Sequence, residues 1–265
     1  MITPSTGSNG YGRVAWSRPL SLIFGLAMFT AGFAQGPSAD PANEFERLMN
    51  AAKTAQDEGH YDEAILAYRR VVALSKGTPK NVALAYFNAG IIYLRFKKYA
   101  EAANGFQQSI LFDPSSAEAH NNLGQSLAFQ KKYKQAVTAF QRAIELDKSL
   151  LIAQFNMGLT YTQMGQLKYA EFVFKVLVRD HPDYAPGYDG MAVTLAKSGR
   201  ASEAIPLHEK AISLSPDSPV FYYNLGISYL LMGNTERALE QKEKLLQLDP
   251  QAASRLTNLI AKHQK

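Results

Sequence analysis

The groups with which this chain of 265 residues could do chemistry are five histidines, 23 aspartates and glutamates, 28 lysines and arginines, and no cysteine. The missing cysteine excludes a disulfide framework, a thiolate zinc site, an iron–sulfur cluster and a thiol nucleophile. It also removes the attachment point of a bacterial lipoprotein. His60, His120, His181, His208 and His263 are scattered. No His-x-x-x-His pair and no His-Glu-x-x-His run occurs, so there is no metal signature. A Gly-x-Ser-x-Gly elbow and a Gly-x-x-x-x-Gly-Lys-Ser/Thr phosphate loop are missing too. The carboxylates lie mostly at helix ends, where capping and dipole interactions account for them. His120 and His208 fall on packing faces. The expectation is a protein with no catalytic residues, no metal and no cofactor.

One polar residue type does recur at a fixed distance. Asn88, Asn122 and Asn156 are 34 residues apart, Asn224 follows two periods later, and Asn50 precedes them; Gly190 fills the remaining place. Asparagine is a mediocre helix former, so local stability does not explain the row. Its amide offers an acceptor and two donors, enough to grip a peptide backbone's C=O and N–H together.

The same period of 34 runs through the elements that must carry this row. Gly90, Gly124, Gly158 and Gly226 keep it, as do Ala102, Ala136, Ala170, Ala204 and Ala238. Pro114, Pro182, Pro216 and Pro250 fall at its multiples, and Tyr68, Phe106, Phe140 and Phe174 share the register. Within a period, apolar residues recur at spacings of three and four, which makes each period a pair of amphipathic helices. This pattern resembles the tetratricopeptide repeat (TPR), of an exported bacterial type, over residues 45–250. The resemblance implies an all-α, right-handed solenoid of six helix pairs: 45–82, 83–116, 117–150, 151–184, 185–218 and 219–250. First helices would line the inside and second helices the outside. Residues 251–265 are expected to form a capping helix, because Ala253, Leu256, Leu259 and Ile260 are helically spaced.

Departures from the pattern carry their own expectations. Four extra residues around Ser75–Thr78 are expected to lengthen the second helix of the first repeat or the connection after it. Lys97 and Lys131 stand where Gly59, Gly165, Gly199 and Gly233 occupy other turns, so those two turns are expected to be built differently. His208 and Lys242 replace the aromatic of the second helix, Ala192 replaces a glycine, and Pro206 is expected to kink its helix. The fifth repeat is therefore expected to be the irregular one.

The asparagines occupy the sixth place of each first helix, which faces the groove of such a solenoid. The row is similar to the asparagine ladder of O-linked N-acetylglucosamine transferase TPR superhelices, which implies an extended polypeptide held in the groove. An alternative is that the amides bond between adjacent repeats. Flanking places hold Leu84, Phe87, Ile91, Asn121, Gln125, Phe155, Leu159, Tyr223 and Ile227, suited to an apolar extended segment or an amphipathic helix of a protein partner. No lysine holds the fifth place, which argues against the chaperone-tail clamp. Separately, Lys97, Lys98, Lys131, Lys132, Lys134, Lys168 and Arg200 fall near the turns within repeats. Stacking would align them into a basic edge for a membrane surface or an anionic polymer. A formal net charge of only +5 is not that of a dedicated nucleic-acid binder.

Residues 1–34 read as an export signal. Arg13 and Arg18 precede an apolar run from Leu20 to Phe33, followed by Ala34; the run is shorter than the roughly 20 residues of a membrane-spanning helix. Cleavage after Ala34 would leave residues 35–44 as a linker and place the mature protein in a periplasm or outside the cell. Retention of the uncleaved segment would anchor it at the membrane.

Overall fold

The computed structural model describes residues 41–74 and 79–263. The expected export signal and residues 35–40 of the expected linker lie outside the described residues. Among these there are thirteen α-helices and no strand. The first repeat pairs α1 (Pro41–Asp57) with α2 (Tyr61–Leu74), and the second pairs α3 (Pro79–Arg95) with α4 (Tyr99–Phe112). The third has α5 (Ala117–Phe129) and α6 (Tyr133–Leu146), and the fourth α7 (Leu151–Gln163) and α8 (Leu167–Asp180). The fifth has α9 (Ala185–Lys197) and α10 (Ala201–Leu214), the sixth α11 (Pro219–Leu231) and α12 (Thr235–Leu248), and α13 (Pro250–His263) closes the stack. Residues 41–44, expected as linker, form the first turn of α1.

Every helix packs on the one before it and the one after it. First helices of successive repeats also touch each other directly, α3 on α5, α5 on α7, α7 on α9 and α9 on α11. The first helices are therefore the inner layer of the solenoid. Ala64, Ala102, Ala136, Ala170, Ala204 and Ala238 are fully buried, because the two helices of a pair approach closely there. Phe106, Phe140 and Phe174 fill the space beside them, and burying such a ring contributes roughly 1.5–3 kcal/mol. Each ring lies flat against a glycine of its own repeat. A Cβ added to Gly90, Gly124 or Gly158 would come within 2.9, 2.7 and 2.6 Å of the respective ring.

The sixth repeat solves the same problem differently. Its second helix offers Lys242, and the space over Gly226 is taken by Leu256 of α13, 2.7 Å from where a Cβ would be. The capping helix thus supplies the missing core side chain, and it buries Ala252, Ala253, Leu256 and Ile260 against α11 and α12.

Two expectations meet the structure differently. Residues 75–78, around which the four extra residues are expected, lie outside the described residues. The helix α2 has the usual 14 residues, while α3 has 17 against 13 in α5 and α7. One added turn, Pro79–Val82, extends the start of α3, with Pro79 at the first helical position where its missing N–H costs nothing. The turns at Lys97 and Lys131 are not built differently. Both lysines adopt the left-handed conformation of the glycines, with φ of 59° and 61°. The backbone bonds match: Lys97 N–H donates to Leu94 and Lys98 N–H to Tyr93, as Gly165 N–H donates to Thr162 and Gln166 N–H to Tyr161. Closing the last helical turn outweighs the cost of a Cβ in that region, about 1–2 kcal/mol per residue. Pro206 lies inside α10, which extends from Ala201 to Leu214. The proline lies exposed on the outer layer, where water can serve the carbonyl that it leaves without a donor.

Candidate partner-binding groove and basic edge

The inner helices place the asparagine row at the seam between repeats. The sixth place of one repeat faces the fifth place and the aromatic place of the repeat before it. Asn156 is buried, and its Nδ2 donates to Oδ1 of Asn121 at 3.1 Å. Asn121 in turn donates to Oδ1 of Asn122 at 3.2 Å. Asn224 donates to Oδ2 of Asp189 at 2.9 Å. Burial pushes the Tyr68 hydroxyl's pKa up, and the Asn88 amide bonded to it partly offsets this. Four amides of the row therefore spend at least one group inside the protein. Asn50, with no repeat before it, is exposed. Gly190 has no room for an amide: a Cβ there would lie 2.5 Å from Phe174 and 3.1 Å from Phe155.

The flanking places divide into surface and floor. Leu84 and Ile152 are open, 47% and 39% exposed, in the first halves of α3 and α7. Ile91, Gln125, Tyr223 and Ile227 are half-buried. Phe87 is half-buried, edge-on to Phe106 at 5.6 Å. Tyr223 lies under the Arg255 guanidinium of α13 at 5.6 Å. Phe155 is core and not surface, because the rings of Phe174 and Tyr184 close over it. Asn121, Asn156 and Leu159 are buried as well. Asn156 and Leu159 form the floor of a cleft between α5 and α7, walled by Gln125, Ala128, Phe129, Thr160 and Gln163. The cleft is a sequence of polar and apolar patches along an open inner face.

Sequence reasoning missed the densest polar cluster. Asp189 Oδ1 meets His208 Nδ1 at 2.7 Å, and His208 Nε2 meets Ser228 Oγ at 3.1 Å. An Asp–His–Ser line is the arrangement of acyl-transfer enzymes. Here Asp189, His208 and Ser228 are 0%, 1% and 1% exposed, so a carbonyl substrate has no path to the hydroxyl. Ser228 also lies inside α11, whose backbone N–H groups are committed to the helix and cannot form an oxyanion hole. The cluster joins the fifth and sixth repeats across α9, α10 and α11. The signal for it was in the register: Asp189 and His208 stand one period after Phe155 and Phe174, so both members of an aromatic pair turn polar together.

On one edge of the stack, the turns between paired helices expose Lys97, Lys98, Lys131, Lys132, Lys134 and Lys168. Arg200 does not extend this edge as a free charge. It pairs with Glu203 at 2.6 Å and Glu171 at 3.0 Å. The Lys175 ammonium, and then Arg200, hold the Glu171 carboxyl below its ordinary pKa. The opposite edge is acidic. Asp113 and Asp147 end second helices and accept bonds from Ser115 and Ser149, which hold both carboxyls below the usual range.

Family models for the tetratricopeptide repeat match residues 49–113, 117–150, 152–184 and 195–262. The chain belongs to the tetratricopeptide repeat family. Its TPR solenoid is similar to a tetratricopeptide repeat protein from Parabacteroides merdae, at 20% identity and a TM-score of 0.69, covering 84% of this chain and 86% of that one. It is similar to PilW, a widely conserved type IV pilus biogenesis factor, at 23% identity and a TM-score of 0.63, covering 76% and 91%. It is also similar to the MamA protein, at 24% identity and a TM-score of 0.57, covering 66% and 94%. At these identities the likeness is one of fold. A comparison with curated proteins gave no match. TPR solenoids are protein-interaction scaffolds.

Proposed function

We propose that this TPR protein is an exported scaffold that holds an extended segment or helix of a partner protein along its inner face, in assembly of the cell envelope or in secretion. The observation that carries the reading is the pair of open apolar side chains, Leu84 and Ile152, on the inner helices α3 and α7. An apolar side chain left half in water on a concave wall gains about 1 kcal/mol when a ligand covers it. The sequence of residues 1–34 supports export, and the fold shared with PilW, a pilus biogenesis factor, supports an envelope role.

The asparagine row enters this reading in a reduced form. Its amides tie repeats together first, and they offer a ligand only the groups left over. The test therefore rests on the open residues. A partner captured from an envelope fraction is titrated against the parent protein and a Leu84→Ser, Ile152→Ser variant. Both side chains are exposed, so helicity and melting should stay unchanged while affinity falls about thirtyfold, the equivalent of about 2 kcal/mol. Equal affinity for both proteins removes the inner face as the site. N-terminal sequencing of protein from the native host tests export: a mature chain should start near Gln35, and a cytoplasmic chain that keeps Leu20–Phe33 refutes it.

A further inference from the structure

We propose that the α3–α4 and α5–α6 turns form a docking edge for an anionic lipid bilayer, along the rim of the groove. The first observation is charge without partners. Lys97, Lys98, Lys131, Lys132 and Lys134 are exposed, and none of them joins an ion pair among the described residues, nor does Lys168 in the next turn, whereas Arg200 in the turn after that is paired. Inner helices of neighbouring repeats lie about 8–10 Å apart, so the two turns are within one Debye length and act on a surface together.

The second observation is backbone strain at this one place. Four turns place glycine at the left-handed residue; these two place Lys97 and Lys131 there. Glycine would make the same turn without strain, so stability alone does not select a lysine at either tip. A residue at the tip of the turn projects furthest from the edge, where a charge reaches a surface first.

The third is the pair of exposed rings beside them. Phe96 is 51% and Phe129 is 41% exposed. Each is held on one side, Phe96 edge-on to Tyr61 at 5.0 Å and Phe129 stacked on Tyr99 at 4.7 Å. Exposed phenylalanines next to lysines suit the headgroup–acyl boundary, where interfacial surfaces combine Lys with Phe. Lysine, a hydrated point charge, suits diffuse attraction to headgroups better than the forked recognition of single phosphates that arginine provides. The nearby Arg95 is committed to the Tyr61 ring at 4.9 Å, which disfavours nucleic acid.

The test uses the full chain and co-sedimentation with two vesicle preparations, pure phosphatidylcholine and equal parts phosphatidylcholine and phosphatidylglycerol. Any contribution from residues 1–34, including Arg13 and Arg18, is common to parent and variants and cancels between them. Partitioning should favour the anionic vesicles and decline as salt is raised. Lys97→Gly with Lys131→Gly should weaken the anionic preference about 25-fold, at roughly fivefold per lysine, while raising the melting temperature because the strain is relieved. A Lys98→Gln, Lys132→Gln, Lys134→Gln variant should lose the preference with melting unchanged. Equal partitioning into both vesicles, or variants that bind anionic vesicles as the parent does, overturns the proposal. So does tighter binding to single-stranded DNA or polyphosphate than to the vesicles.

Discussion

Replacing His208 with phenylalanine restores the aromatic that other repeats carry, and the structure requires that it fail. In the fourth repeat, Phe174 fits because Gly158 and Gly190 flank it; a Cβ at either would lie 2.6 or 2.5 Å from the ring. The matching places around residue 208 hold Ala192 and Asn224. A phenyl ring there meets the Ala192 methyl and the Asn224 amide, an overpacking that costs about 1–3 kcal/mol. It also removes the imidazole from the Asp189 carboxyl, which is wholly buried and 2.7 Å away. Leaving a buried acceptor short of a donor costs about 1–3 kcal/mol. The two together should lower the unfolding free energy by at least about 2 kcal/mol. A four-residue transplant tests whether the cost is coupling and not a defect of position 208. Asp189→Phe, Ala192→Gly, His208→Phe and Asn224→Gly rebuild the layer of the fourth repeat. Replacing a buried polar cluster by packed apolar groups is near neutral, and two helical glycines cost about 1 kcal/mol each. The quadruple variant should thus stand within about 2 kcal/mol of the parent. Urea unfolding followed by circular dichroism reads both. A single variant within about 1 kcal/mol of the parent, or a quadruple variant no better than the single one, refutes the coupling.

Two further outcomes follow from the same packing and charges. Gly124→Ala gains about 1 kcal/mol in helix propensity, yet its Cβ would lie 2.7 Å from the rigid Phe140 ring. Calorimetry should show a lower melting temperature, and an unchanged or higher one would place the ring elsewhere. Stability should also decline on acidification in two stages. Burial holds the His120 imidazole below its ordinary value of 6.5. The folded state therefore resists a proton that the unfolded chain accepts, and stability erodes as pH falls below about 6.5. Asp113 and Asp147 are held below 3.8 by their serine partners, so their contribution is complete above about 4 and is lost as pH falls through the folded values. Urea midpoints measured across pH should show the first stage vanish in His120→Gln; its persistence assigns that stage to another group.

The fold was legible because a 34-residue period constrains every core place at once. Glycine, alanine and aromatic registers must agree for two helices to pack, so each confirms the others. Places where one residue type can serve two needs were not legible. Gly-Thr-Pro around residues 77–79 reads as a connection, but the proline begins α3 and the inserted residues become a helical turn. Lys97 reads as a departure from a glycine turn, yet the backbone bonds to Leu94 and Tyr93 force the same geometry on it. The asparagine row is the instructive case. Its sixth place faces the groove on one side and the preceding repeat on the other, and the spacing is identical for either use. What separates them is the fifth place of the repeat before. Where that place is polar, Asn121 or Asp189, the next asparagine bonds to it. Where it is Phe155, the next sixth place is Gly190, because the rings leave no room for a side chain. At the boundaries before Asn156, Gly190 and Asn224 the pairing of these two places decides what the sixth place holds, whereas Asn122 follows the aromatic Phe87 and bonds within its own repeat; a reading made within one repeat at a time cannot see it.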